Sequence, residues 1–130
     1  MSDRPIITPN IQTPIINAVS MATNITGPAT IILRIPGISY DILWTGTPTG
    51  TFSVEVSNTF AIANNGATIN AGNWTALPTS SFTGNYPVPS GSAGNGFLDV
   101  VGTEAYAVRL IYTASSGSGL LTVVACAKVL

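Results

Sequence analysis

Ile38-Ser39-Tyr40-Asp41-Ile42-Leu43-Trp44-Thr45, the turn Gly46-Thr47-Pro48-Thr49-Gly50, and Thr51-Phe52-Ser53-Val54-Glu55-Val56-Ser57 form the stretch on which the fold turns. Successive side chains of a strand point to opposite faces, so Tyr40, Ile42 and Trp44 share one side and Asp41 and Leu43 the other. In the second half, Phe52, Val54 and Val56 fall inward while Ser53 and Glu55 fall outward. Glycine and proline between two alternating runs are turn chemistry. The pattern predicts a β-hairpin with a defined register.

Working outward, the same grammar recurs. Ala29 to Ile35 is a candidate strand stopped by Pro36-Gly37. Tyr106, Val108, Leu110 and Tyr112 alternate with Ala107, Arg109 and Ile111. After Ser115-Ser116-Gly117-Ser118-Gly119 comes Leu120 to Val129, apolar at nearly every position, as expected of a strand buried on both faces. Between Asn58 and Gly96 the chain is rich in Asn, Gly, Ser and Pro, with weaker strands around Phe60 to Ala63 and Asn73 to Leu77. Asn64-Asn65-Gly66 and Ala93-Gly94-Asn95-Gly96 are turn signals, because Asn and Gly tolerate positive φ. No segment sustains a 3.6-residue period. The expected fold is all-β, an antiparallel, jelly-roll-like β-sandwich. The turns Thr45 to Thr51 and Thr113 to Gly119 look alike and suggest two similar hairpins, one per sheet.

Residues 1–26 read differently from residues 27–130. Pro5, Pro9 and Pro14 block helix and remove ladder donors, so this part is an extended N-terminal arm or an edge strand ahead of the sandwich domain. Its isoleucines Ile6, Ile7, Ile11, Ile15 and Ile16 need burial somewhere, and they are the candidate protein-interface residues.

Charged residues make up 7% of the 130, against a usual ~25%. Four dispersed cations and a formal net charge of -1 cannot displace counterions from phosphate, so nucleic acid is excluded as a partner. With 45% hydrophobic residues the chain folds. A surface this neutral points to assembly with other proteins. The longest uncharged stretch, Pro5 to Leu33, is too interrupted by Pro, Gly, Asn and Thr for a transmembrane helix, so no membrane partner is expected. Its start lacks the apolar core of a secretory signal, which implies synthesis in the cytoplasm. Cys126 is the single cysteine, so no intrachain disulfide forms, and its apolar neighbours predict a small buried hydrophobe.

Catalysis finds little to work with. There is no histidine, so the Ser-His-Asp and Cys-His mechanisms are excluded. Asp99 and Glu104 are the nearest acidic pair, but they flank what reads as a strand end and turn. The expectation is no enzyme and no catalytic residue, and the glycines match no phosphate-binding or dinucleotide pattern, so no cofactor is expected. Without His, and with one Cys and no Asp-x-Asp spacing, no metal site is expected. Among the aromatics, Tyr40, Trp44 and Trp74 read as core. Tyr86, between Asn85 and Pro87 in a loop, is the candidate exposed contact.

The stretch from Ile38 to Val129 resembles small structural modules encoded by tailed bacteriophages. The resemblance is carried by Leu43-Trp44-Thr45-Gly46-Thr47-Pro48-Thr49-Gly50-Thr51, by Phe52 to Asn58, by Trp74 to Leu77 and by Val108 to Leu120, in that order and spacing. It implies a virion protein: a decoration (cement) protein on the capsid, or a fibre, spike or tail component. One short domain with an apolar arm, and no coiled-coil shaft, fits the capsid-bound role better. The expectation is a homo-oligomer, a trimer, located on the capsid surface of the virion. It would bind the major capsid protein or other virion proteins and fasten neighbouring subunits through its arm. The competing expectation is a receptor- or carbohydrate-binding module of a spike, fibre or tail component, resting on Tyr86 and the long loops.

Overall fold

Strand β4 (Gly37–Trp44) buries Ile38, Tyr40, Ile42 and Trp44 and turns Asp41 and Leu43 outward, as its alternation requires. It belongs to a computed structural model that describes residues 12–32, 37–78, 82–83, 86–101 and 105–128. On one side of β4 lies β12 (Leu120–Lys128) and on the other β10 (Gly94–Val101), both antiparallel to it. Beyond β12 is β1 (Thr13–Ser20), and beyond β10 is β9 (Phe82–Thr83).

The second sheet is centred on β11 (Ala107–Ser116) and β5 (Thr49–Ser57), which pair over nearly their whole length. The short strands β2 (Ile25–Thr26) and β3 (Thr30–Ile31) both line the far side of β11, and β8 (Thr75–Ala76) lines the far side of β5. A separate hairpin, β6 (Ala61–Ile62) and β7 (Thr68–Asn70), is turned by Asn64 to Gly66.

The pairings are nested. β1 meets β12, β2 and β3 meet β11, β4 meets β10, and β5 meets β8, while β12–β4 and β11–β5 close the two sheets. This is the jelly-roll order, a long antiparallel hairpin rolled up on itself, and all-β antiparallel sandwich architecture is what the alternation predicted.

One expectation is overturned. Neither β4–β5 nor β11–β12 is a hairpin, because the members of each pair lie in opposite sheets. The parity of inward residues is the same in a flat hairpin and in a corner that crosses the sandwich, so alternation does not distinguish them. The two look-alike turns are corners, and they interlock. Thr45 N–H donates to the Leu120 carbonyl at 3.1 Å and Thr47 N–H to the Ser118 carbonyl at 2.8 Å. Gly46 and Gly117 have φ of 81° and 75° there, and a Cβ on Gly46 would stand 2.8 Å from the Gly119 Cα.

The core lies between the sheets. Trp44 faces Phe52 across it, with ring centroids 5.9 Å apart, and Phe52 packs on Tyr112 at 5.1 Å. Side-chain volume is matched along the rows: the bulky Tyr40 stands between Leu98 and the small Ala125. Among the described residues β12 is covered on one face only. Leu121, Val123, Ala125 and Ala127 are buried, whereas Thr122, Val124 and Cys126 are half-buried on the outer face. Cys126 therefore lies on the outward parity of its strand, and the expectation of a buried thiol fails.

Candidate functional site

The residues singled out from the sequence scatter in the fold. Of the arm isoleucines, Ile16 is buried and pairs with Val123, and Ile15 packs against the core half-buried. Ile6, Ile7 and Ile11 lie outside the described residues. From Thr13 onward the segment 1–26 consists of the edge strand β1 and then β2, paired into different sheets. β1 carries Pro14 and two register irregularities, with Ala18 at a φ of 51°. Such features make an edge strand a poor template for open-ended pairing.

Tyr86 is half-buried against the core, and its hydroxyl donates to the Phe52 carbonyl. Its loop composition suggested a free ring, but the hydroxyl is engaged within the fold. Close by, a cavity of about 260 Å³ is lined by Trp44, Tyr86, Val88, Ser90, Ser92 and Asn95. The Trp44 indole N–H donates to the Ser92 carbonyl at its wall, at 2.9 Å.

Trp74, expected in the core from its alternation with Ala76, is a half-buried ring on the outer face of the second sheet. The strand it precedes is only two residues long and sits at the sheet edge, so no second layer encloses it. It covers Arg109, whose guanidinium carbon lies 4.1 Å from the ring centre, and Phe60 packs on it at 5.6 Å. Arg109 in turn pairs with Glu55 opposite it, Nη2 to Oε1 at 2.7 Å. Ser57 anchors the covering loop: its Oγ accepts the amides of Thr59 and Phe60, each at 3.1 Å.

Of the acidic pair read from the sequence, Asp99 lies on β10 and Glu104 lies outside the described residues. Glu55 is taken by Arg109. Asp41 and Asp99 are diagonal neighbours on the outer face of the first sheet, since Asp41 opposes Phe97 and Asp99 opposes Ser39. Asp41 is exposed on that face. Among the described residues no three His, Cys, Asp or Glu side chains gather closely enough to hold a metal.

Sequence reading placed Leu43 outward and drew nothing from it. In the fold it is the hub of an apolar patch. Leu43 opposes Asn95 and Thr122, which makes Phe97, Val124 and Leu120 its diagonal neighbours on adjoining strands. Leu43, Leu120 and Phe97 are 54%, 48% and 43% exposed. Clustered exposed apolar residues mark interaction surfaces, whereas single ones do not. The signal available in the sequence was an outward leucine in an alternating strand, but its neighbours come from β10 and β12, about 50 and 80 residues away.

No protein-family model matches the chain, and no curated protein matches it. Among solved structures it is similar to the crystal structure of SPBc2 prophage-derived protein YomS, with 15% sequence identity, 92% of this chain and 96% of that chain covered, and a TM-score of 0.43.

Proposed function

We propose that this chain is a structural protein of a bacteriophage virion, a decoration or cement protein that binds the head lattice as a homo-oligomer, a trimer. The observation that carries the reading is the exposed apolar patch around Leu43 on an otherwise nearly uncharged sandwich. The order of motifs from Leu43 to Leu120, which resembles phage structural modules, supports the virion assignment. The isoleucine-rich N-terminal segment is the assembly device in this reading, since extended segments bind through backbone and apolar contacts without charge.

Imaging of intact particles made in cells that carry this gene tests the proposal. Density repeated across the head lattice is the expected result. A few copies at one vertex would move the protein to the tail or spike, and particles devoid of it would end the virion reading.

The second reading, a receptor- or carbohydrate-binding module, rests on the cavity beside Trp44. Its wall of Ser90, Ser92 and Asn95 offers neutral hydrogen-bonding groups suited to a hydroxylated ligand. A glycan array separates the two readings. Saturable binding lost in Asn95→Ala would favour adhesion, and a blank array would favour the cement role.

A further inference from the structure

The two outer faces of the sandwich are finished differently. On the second sheet, Arg109 and Glu55 neutralise each other beneath Trp74 and Phe60. On the first sheet nothing among the described residues covers Leu43, Phe97 and Leu120. Asp41 lies in their midst, in the cross-strand row Phe97–Asp41–Val124–Pro14. Asp99 is its diagonal neighbour, and neither carboxylate has an ion pair among the described residues.

This face thus calls for an occupant that is apolar, extended and positively charged at one point. A second copy of the same face is a poorer fit, because it would press Asp41 and Asp99 against carboxylates of their own kind. The segment Asp3-Arg4-Pro5-Ile6-Ile7 offers a guanidinium next to one carboxylate, then two isoleucines, with a proline that favours extended backbone.

The segment also starts from the right place. Thr13 and Pro14 oppose Ala125 and Val124, so the chain joins the fold at the edge of this same sheet. β1 begins at Thr13, level with Ala125, whereas Leu43 is level with Thr122, so the segment joins its own sheet at the end of β1 away from Leu43. Eleven extended residues reach roughly 36 Å, against about 14 Å across four strands. The segment is long enough to span such a face.

We propose that the outer face of the first sheet, centred on Leu43 and Asp41, is the docking surface for the N-terminal segment of a second copy of this chain, with Arg4 against Asp41 and Ile6 and Ile7 over Leu43, Phe97 and Leu120. The proposal rests on the reading above that the protein assembles through this segment, and it commits the segment to a sister copy.

Sedimentation velocity on full-length Asp41→Arg, Arg4→Asp and the double variant tests the contact. Asp41 is exposed, so its replacement does not threaten the fold. Each single change is expected to weaken self-association about tenfold or more, and the double variant to recover most of it. Unchanged association in Asp41→Arg, a monomeric parent protein, or a double variant no better than the singles would overturn the proposal.

Cross-linking identifies the occupant. In a Cys126→Ser background, mixing Ile6→Cys chains with Leu43→Cys chains should yield a disulfide-linked heterodimer. If instead only chains carrying both cysteines cross-link, and only within themselves, the segment covers its own sheet and the proposal is wrong. Co-sedimentation with particles keeps the two readings apart. Heterodimers that form without particle binding would remove the virion reading and leave the docking surface standing. Particle binding with Asp41→Arg association unchanged would do the reverse.

Discussion

The Arg109 guanidinium is held between the Trp74 ring, 4.1 Å away, and the Glu55 carboxylate, 2.7 Å from Nη2. The two contacts tie the loop after β5 to the face of the second sheet. Both charged side chains are about a quarter exposed, so water screens the pair and its contribution is modest.

Arg109→Lys keeps the charge but loses the planar group that stacks and chelates, and should cost about 1 kcal/mol. Trp74→Ala should cost more, since it also releases Phe60. Urea unfolding of the two singles and the double reads the coupling, and strictly additive losses would show that ring and guanidinium do not cooperate.

Tyr40 and Tyr112 bury hydroxyls that have no hydrogen-bond partner among the described residues, whereas the Tyr86 hydroxyl bonds the Phe52 carbonyl. Removing an unpartnered buried hydroxyl removes a desolvation cost. Tyr40→Phe and Tyr112→Phe are expected to leave stability unchanged or raise it by up to about 1 kcal/mol, and Tyr86→Phe to lower it by about 1 kcal/mol. Thermal melts of the three variants give the comparison.

Burial also pushes the Tyr40 phenol well above its ordinary value. The unfolded chain then loses its proton first, near pH 10, while the folded one retains it. Stability is therefore complete below about pH 10 and falls as the pH rises beyond it. Tyr40→Phe should flatten this alkaline loss relative to the parent, as measured by melting temperature against pH.

At the interlocked corners, Gly117 combines a φ of 75° with a Cβ direction that runs into the Thr47 carbonyl. Gly117→Ala should cost about 2 kcal/mol or more, from backbone strain and the displaced turn together. Gly91→Ala is the control, because its φ is also positive, 95°, but a Cβ there stands 3.9 Å from its nearest neighbour. A smaller loss in the control isolates the contact between corners.

Ile16 is 5% exposed, and Ile16→Ala should cost about 2–4 kcal/mol. Deleting residues 1–11 should leave the circular dichroism of the sandwich near that of the full chain while removing self-association. A deletion that continues through Asn17 would strip most of β1 from β12 and expose Val123, so only the shorter one tests attachment without damaging the fold.

Period-two alternation already placed Tyr40, Ile42, Trp44, Phe52 and Val54 on the inward side, and the fold agrees. It failed at Cys126 and Trp74. An unbroken apolar run such as Val123-Val124-Ala125-Cys126-Ala127 has no contrast from which to read a face. Trp74 precedes a strand too short for parity to mean much. The exposed apolar patch was half legible: Leu43 pointed outward in the sequence, but a patch exists only because Phe97, Leu120 and Val124 are brought beside it.

By itself, then, the sequence determined the all-β class, the inward side of each alternating strand and a nearly charge-free surface, because pleat parity and composition are local properties. Strand neighbours are chosen by long-range competition to bury those inward sides, and parity is blind to that choice. Only the tertiary structure decided that the two look-alike turns are interlocked corners of a jelly roll. It alone settled that Arg109's face is covered while, among the described residues, Leu43's is bare.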